Sequence, residues 1–240
     1  MYFITIGFSL STAVGAFTRK TWSGAPLRED RAPSGFLPPP PIPKTFPVFS
    51  LPLCYNPTMN RREREITCCF TGHRPEKLPW GRDETDPRCR ALKAALAEVL
   101  EAVYLDGWRH FIGGMADGAD LYFAEAAAAL RRQHPDLTLE GAIPCQGQER
   151  RWSAASRARY ARAAESCDLL TVLRPEYVPG CMMERNRYMV DRSSLLIAVG
   201  GDAPGGTRRT LEYAADRGLK IIQLPLLGLP EPREASEASP

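Results

Sequence analysis

Residues His110 to Leu130 read HFIGGMADGADLYFAEAAAAL, and the fold follows from how this stretch divides. A short apolar run closes on Gly113-Gly114, the small and acidic residues Met115-Ala116-Asp117-Gly118 follow, and an alanine-rich pattern at helical spacing begins near Asp120. Strand, glycine turn and helix form the repeating unit of parallel sheets, because a parallel neighbour is reached only through a crossover. The glycines leave two readings open. They either serve the backbone alone, or they let amides at a helix N-terminus approach an anion.

The unit recurs along the chain. Ile66–Phe70, Arg109–Ile112, Leu137–Ile143, Leu169–Leu173, Leu195–Val199 and Lys220–Leu224 read as strands. Between them Cys89–Asp106, Asp120–Gln133, Gln148–Ser166, Met182–Asp191 and Thr207–Arg217 read as helices. In the first helix Leu92, Leu96, Val99 and Val103 share one face. In the third, Trp152, Ser156, Tyr160, Ala163 and Cys167 form the expected buried side, with five arginines elsewhere. Right-handed crossovers make this an α/β chain: a single Rossmann-like, doubly wound, mainly parallel sheet flanked by helices.

The ends differ in composition. Residues 1–58 carry ten of the 22 prolines, including Pro38-Pro39-Pro40-Pro41, and are expected to be a disordered Pro-rich extension. A strand follows soon after Met59, so the upstream segment fits a misassigned translation start. The expected domain runs from 59 to 228, and 229–240 is a polar tail. The uncharged stretch Tyr2–Phe17 lacks a basic leader and is too short and polar to span a bilayer, so no membrane partner is expected. A net charge of +3, from 31 basic and 28 acidic residues, is too balanced for a nucleic-acid coat. Seven cysteines, with no CxxC pair, imply reduced thiols in a cytoplasmic protein and no metal site.

In a doubly wound sheet ligands bind beyond the carboxyl ends of the strands. Thr71-Gly72-His73-Arg74-Pro75 follows the first strand, Gly113–Asp120 the second, and Pro144-Cys145-Gln146-Gly147-Gln148 the third. Arg174-Pro175-Glu176-Tyr177 follows the fourth and Gly200–Thr207 the fifth. Loops of the opposite edge, such as Leu105-Asp106-Gly107, are bare turns. Arg74 between Gly72 and Pro75 suits bidentate phosphate contact, with a structural ion pair as the equal alternative. Asp120 either caps its helix or holds ribose hydroxyls. His73 reads first as a packing residue.

These residues resemble a known group. Thr71-Gly72-His73-Arg74-Pro75, then Gly113-Gly114 with Gly118-Ala119-Asp120, then Pro144 with Gln148 and Trp152, is similar to the YpsA-like branch of the SLOG superfamily. The segment Met182–Asp191 and Gly205-Gly206-Thr207 resemble the second half of that family, so the likeness covers roughly residues 66 to 225. The superfamily joins DprA/Smf DNA-processing proteins to LOG phosphoribohydrolases. The resemblance implies a sensor or adaptor that binds a nucleotide or nucleotide-derived small molecule and needs no other cofactor. The implied ligand-binding residues are Thr71, Gly72, Arg74, Gly113, Gly114, Gly118, Asp120, Pro144, Arg185, Asn186, Gly205, Gly206 and Thr207. A homo-oligomer is compatible with this reading.

The alternative is a LOG-like hydrolase of nucleoside monophosphates, which uses an Arg that Arg185 matches and a Glu three residues after the Thr of the glycine loop. Here that position is Thr210, and Glu212 stands two residues on, about 200° around a helix. A glycosidic cleavage needs a carboxylate at the ribose, so Glu184, Glu212 and Asp120 are the remaining candidates. A DprA-like single-stranded DNA interface ranks third, because Trp152 and Tyr160 are expected on the buried side, away from any stacked base. Nucleic acid is therefore not expected as a partner.

Overall fold

The computed structural model describes residues 3–5 and 59–226. The expected tail 229–240 lies outside the described residues, and so does the expected N-terminal extension apart from the short strand β1, Phe3–Thr5. Helix α1, Arg61–Glu65, precedes β2, Thr67–Gly72, and carries a capping box between Asn60 and Glu63. The remaining elements are α2 (Pro87–Leu105), β3 (His110–Gly113), α3 (Ala119–Gln133), β4 (Thr138–Ile143), α4 (Ala154–Glu165), β5 (Leu169–Val172), α5 (Cys181–Asp191), β6 (Leu195–Val199), α6 (Gly206–Asp216) and β7 (Lys220–Leu224).

Every strand pair is parallel, and the order across the sheet is β1-β7-β6-β2-β3-β4-β5. The chain winds outward from β2 to β5, returns across β2 to β6, and winds the other way. The strand order therefore switches between β2 and β6, the place where a doubly wound sheet binds ligands beyond its carboxyl ends.

Alternation along the strands divides the core into two layers. Cys68 and Phe70 of β2, Phe111 of β3, and Leu195, Ile197 and Val199 of β6 pack with α2 and α3. Cys69, Ile112 and Leu196 point to the other face and meet Met189 and Val190 of α5 and Ala214 of α6. Phe70 stacks on Phe123 of α3 with ring centroids 4.7 Å apart. The alanines of α3 bring its axis close to the sheet, and Ala119, Ala124 and Ala127 are fully buried.

Helix ends follow local chemistry. Asp86 accepts from the amide of Arg88 ahead of Pro87, so α2 begins two residues before the apolar periodicity suggests. Helix α4 begins at Ala154 rather than Gln148, because Ser153 caps it by accepting from the Ser156 amide. The residues before it form the turns that carry Trp152 across the carboxyl edge.

Candidate functional site

The loop after β2 is held on both flanks. On the β6 side, the Gly201 amide donates to His73 Nε2 at 3.3 Å, which leaves the ring proton on Nδ1. Nδ1 then donates to Thr207 Oγ1 at 3.1 Å, and that hydroxyl donates to the Gly72 carbonyl at 3.1 Å. Burial, and then the Lys77 ammonium, hold the His73 imidazole below its usual pKa, with Asp202 opposing. Gly200 is left-handed at φ +76° and packs on this ring; a Cβ there would come within 2.6 Å of His73 Cδ2. On the β3 side, the Ala119 amide donates to the His73 carbonyl at 3.1 Å. Gly118, at φ +98°, passes so close that a Cβ would meet the same carbonyl oxygen at 2.7 Å. The loops after β2, β3 and β6 thus interlock around one neutral histidine.

The stretch Gly113–Gly118 is packed tightly. A Cβ on Gly113 would lie 2.9 Å from the Phe123 ring, and one on Gly114 would lie 2.6 Å from both Asp120 Oδ1 and Arg185 Cζ. Arg185 donates to the Gly114 carbonyl, to the Ala142 carbonyl at 3.3 Å and, through Nε, to Asn186 Oδ1 at 2.8 Å. Asn186 in turn donates to Thr210 Oγ1 at 2.7 Å, and Thr210 donates to the Gly206 carbonyl at 2.8 Å. Asp120 accepts from the amides of Gly114 and Ala116. Burial raises its pKa against the opposing charges of Arg185 and Arg74. Burial lowers that of Arg185, with Asp120 opposing. Met115 takes a left-handed backbone at φ 54°, uncommon for a residue other than glycine, and its carbonyl accepts from Gln148 Nε2 at 3.1 Å.

Several residues stand where the sequence does not place them. Asp120 and Arg185, both expected to contact the ligand, are each only 5% exposed. Two carbonyls and an amide oxygen engage three of the five donors of this buried guanidinium. Thr71 and Pro144 are buried at the ends of β2 and β4. Gly72 is held by Ala119, whose Cβ would meet an added one at 2.6 Å. Protein packing therefore accounts for Gly72, Gly113, Gly114 and Gly118. Gly206 differs: nothing lies within 4 Å of its Cβ position. Beside it, Lys77 Nζ donates to the Pro204 carbonyl at 2.7 Å and fills the side-chain position of Gly205. Arg74 reaches the other way, its Cζ 5.8 Å from the centroid of Trp152, with no carboxylate at ion-pair distance among the described residues.

The candidate carboxylates are spread apart. Glu184 is paired with Arg174 at 2.9 Å, and Glu212 with Arg208 at 3.0 Å, both on the surface. Thr210, where the LOG pattern has its Glu, is buried and spent on Asn186.

This geometry has relatives. The family model for YpsA, the YspA SLOG family, matches residues 68–218. The chain belongs to that family. A UPF0398 protein of Halalkalibacterium halodurans is 30% identical over 129 residues, which cover 52% of this chain and 68% of the relative. The SPbeta prophage-derived protein YoqJ of Bacillus subtilis is 29% identical over 131 residues, covering 50% of this chain and 77% of YoqJ. Among solved structures, DNA processing protein A of Streptococcus pneumoniae aligns with a TM-score of 0.46 at 18% identity, over 69% of this chain and 53% of that protein. DNA processing protein A of Helicobacter pylori, solved to describe its single-stranded DNA binding mode, aligns with a TM-score of 0.47 at 14% identity, over 72% and 68% of the two chains.

Features that sequence reasoning missed lie near these family motifs. Trp152 and Tyr160 are half-buried and packed edge to face at 5.6 Å, with Tyr160 resting against the core. The ground for setting nucleic acid aside as a partner, their expected burial, therefore fails. A cavity of about 510 Å³ opens between α2, α3 and α4, with Pro75, Arg82, Asp117, Gly118, Ser153 and Arg159 among its walls. It lies to the β3–β4 side of the strand-order switch. Its cations are mostly spent on each other's counter-ions: Arg82 on Asp117 at 2.7 Å, Lys93 on Glu84, and Arg159 on Glu84 and Glu125. In mid-sheet, the buried Glu140 accepts from His110, Thr171 and Tyr188. A carboxylate inside the apolar strand Leu139-Glu140-Gly141-Ala142 was the available signal for that network. Among the described residues no helix is long and apolar enough to cross a membrane, and no His, Cys, Asp and Glu side chains gather as a metal site.

Proposed function

We propose that the crevice beyond β2 and β6 binds a nucleotide or nucleotide-derived small molecule, and that the domain acts as a cytoplasmic sensor or adaptor. One observation carries this reading. At the strand-order switch Lys77 and Arg74 have no carboxylate partner among the described residues, and Lys77 stands beside the open backbone of Gly206 at the start of α6. Unpaired amides at a helix start, with a cation above them, form an anion site. Arg82, Arg174 and Arg185 are engaged by protein groups, so a phosphate finds charge here and not at Arg185. The interlock through His73 gives the site a rigid floor, which lowers the ordering cost of binding.

The hydrolase alternative has less support, because the carboxylates that could serve it are engaged or enclosed elsewhere. Glu184 and Glu212 pair on the surface, and Asp120 is enclosed behind Gly114. A thermal-shift screen of the full chain against AMP, ADP, cyclic nucleotides, NAD and ADP-ribose tests the reading, since a true ligand stabilises by mass action. A stabilising compound is expected, and Arg74→Ala should weaken it by about 1.5 to 3 kcal/mol, the range for a hydrogen bond to a charged group. A screen with no hit, or a hit indifferent to both Arg74→Ala and Lys77→Ala, overturns the crevice assignment.

A further inference from the structure

Trp152 is a side chain that neither the sheet nor the phosphate end of the crevice requires. It leaves β4 on the turns between Gly147 and Ser153 and comes to rest half-exposed at the carboxyl edge, two residues before α4 begins. Its ring is braced from the side by Tyr160, with an interplanar angle of 86°. The guanidinium of Arg74 lies over it at 5.8 Å. Tyr160 and Arg74 each cover part of the indole, and the part left exposed is an aromatic surface, which is what a planar heterocycle stacks on.

Arg74 adds a second observation. Arg82, Arg159, Arg174 and Arg185 are each tied to a carboxylate or a carbonyl, whereas Arg74 makes no ion pair or side-chain hydrogen bond among the described residues and lies over the indole, with the charge of Asp120 in range. A guanidinium is planar and weakly hydrated, so it stacks on one ring as readily as on another. Pro75 and Ser153, the chain neighbours of Arg74 and Trp152, both line the cavity of about 510 Å³, so open space adjoins the pair. In the order β6-β2-β3-β4 the loop of Trp152 stands three strand spacings from the loop of Gly206, about 14 Å. The two ends therefore present different chemistry at a separation: cation and amides at one, an aromatic face at the other.

We infer that Trp152, with Arg74 over it, is the platform for the planar ring of the ligand, so that the site takes nucleoside phosphates in preference to sugar phosphates. The inference rests on the crevice reading above and assigns the part of the ligand that phosphate contacts leave unread. Arg74 swings from the indole onto the bound ring or its phosphate, and Tyr160 keeps the indole in place.

Titration calorimetry of the full chain with ADP and with ribose 5-phosphate tests it, using wild type, Trp152→Ala and Trp152→Phe, each checked for an unchanged thermal midpoint. Wild type should bind ADP more tightly than ribose 5-phosphate. Trp152→Ala should lose about 5- to 150-fold in ADP affinity, the factor equivalent to about 1 to 3 kcal/mol of stacking. Trp152→Phe should restore most of it, and ribose 5-phosphate should be indifferent to both changes. Equal losses for the two ligands, or no loss for ADP, overturn the platform and leave the phosphate site standing. Wild type that binds ribose 5-phosphate as tightly as ADP does the same. Wild type that binds neither overturns the crevice reading together with this one.

Discussion

Gly114→Ala separates packing from ligand chemistry in the loop after β3. The backbone of Gly114 is not left-handed, so conformation alone would accept a side chain. Space does not. The new methyl would stand 2.6 Å from Asp120 Oδ1 and 2.6 Å from Arg185 Cζ, both on side chains only 5% exposed. Neither can swing into solvent without stranding a buried charge. Overpacking of this kind costs about 1 to 3 kcal/mol. If Arg185 withdraws from the Gly114 carbonyl, a charge-assisted bond worth about 1.5 to 3 kcal/mol goes with it. The expected destabilisation is about 2 to 5 kcal/mol, or at least about 4 °C in Tm for a domain of this size. Gly206→Ala is the control: its Cβ position is empty, and alanine in a first helical turn should be neutral or gain about 0.4 to 1 kcal/mol. Urea unfolding, read as a shift in midpoint at constant m, measures both. Gly114→Ala within about 0.5 kcal/mol of wild type, or equal losses from the two changes, would refute the packing argument.

Two further outcomes follow from the same geometry. His73 is held below its ordinary value of 6.5, so on acidification the unfolded chain takes up a proton before the folded one does. Stability contributed by the neutral ring is complete above that value and drains as the pH falls toward the folded one. Thermal midpoints measured between pH ~7.5 and ~5.5 should fall more steeply for wild type than for His73→Gln; equal slopes contradict the interlock. Incubation with AMP should release no free base, because Glu184 and Glu212 are engaged in surface ion pairs and Thr210 occupies the position of the LOG glutamate. Base release that Glu184→Gln or Glu212→Gln abolishes would restore the hydrolase.

Much of this architecture is local and was legible in the chain. Apolar runs such as Leu195–Val199 are strands buried on both faces, and Leu92, Leu96, Val99 and Val103 mark the inner face of α2. Glycines and prolines collected at one edge pointed to the end of the sheet that carries a site. The boundaries that moved did so through side-chain caps, Asp86 for α2 and Ser153 for α4, which periodicity alone does not register.

The chain by itself therefore determined the strand–helix alternation, the parallel sheet and the edge to inspect, because each depends on residue spacing along a few turns. It could not say which glycine faces a ligand and which faces a neighbour. Gly114 and Gly206 look alike as letters, yet one is enclosed by Arg185 and Asp120 and the other opens to free space. Likewise Arg74 and Arg185 are both arginines near a glycine loop; Arg185 is buried and held by carbonyls of Gly114 and Ala142, whereas Arg74 makes no ion pair among the described residues and lies over an indole. Those differences arise from contacts across tens of residues of sequence, which exist only once β2, β3, β4 and β6 lie side by side.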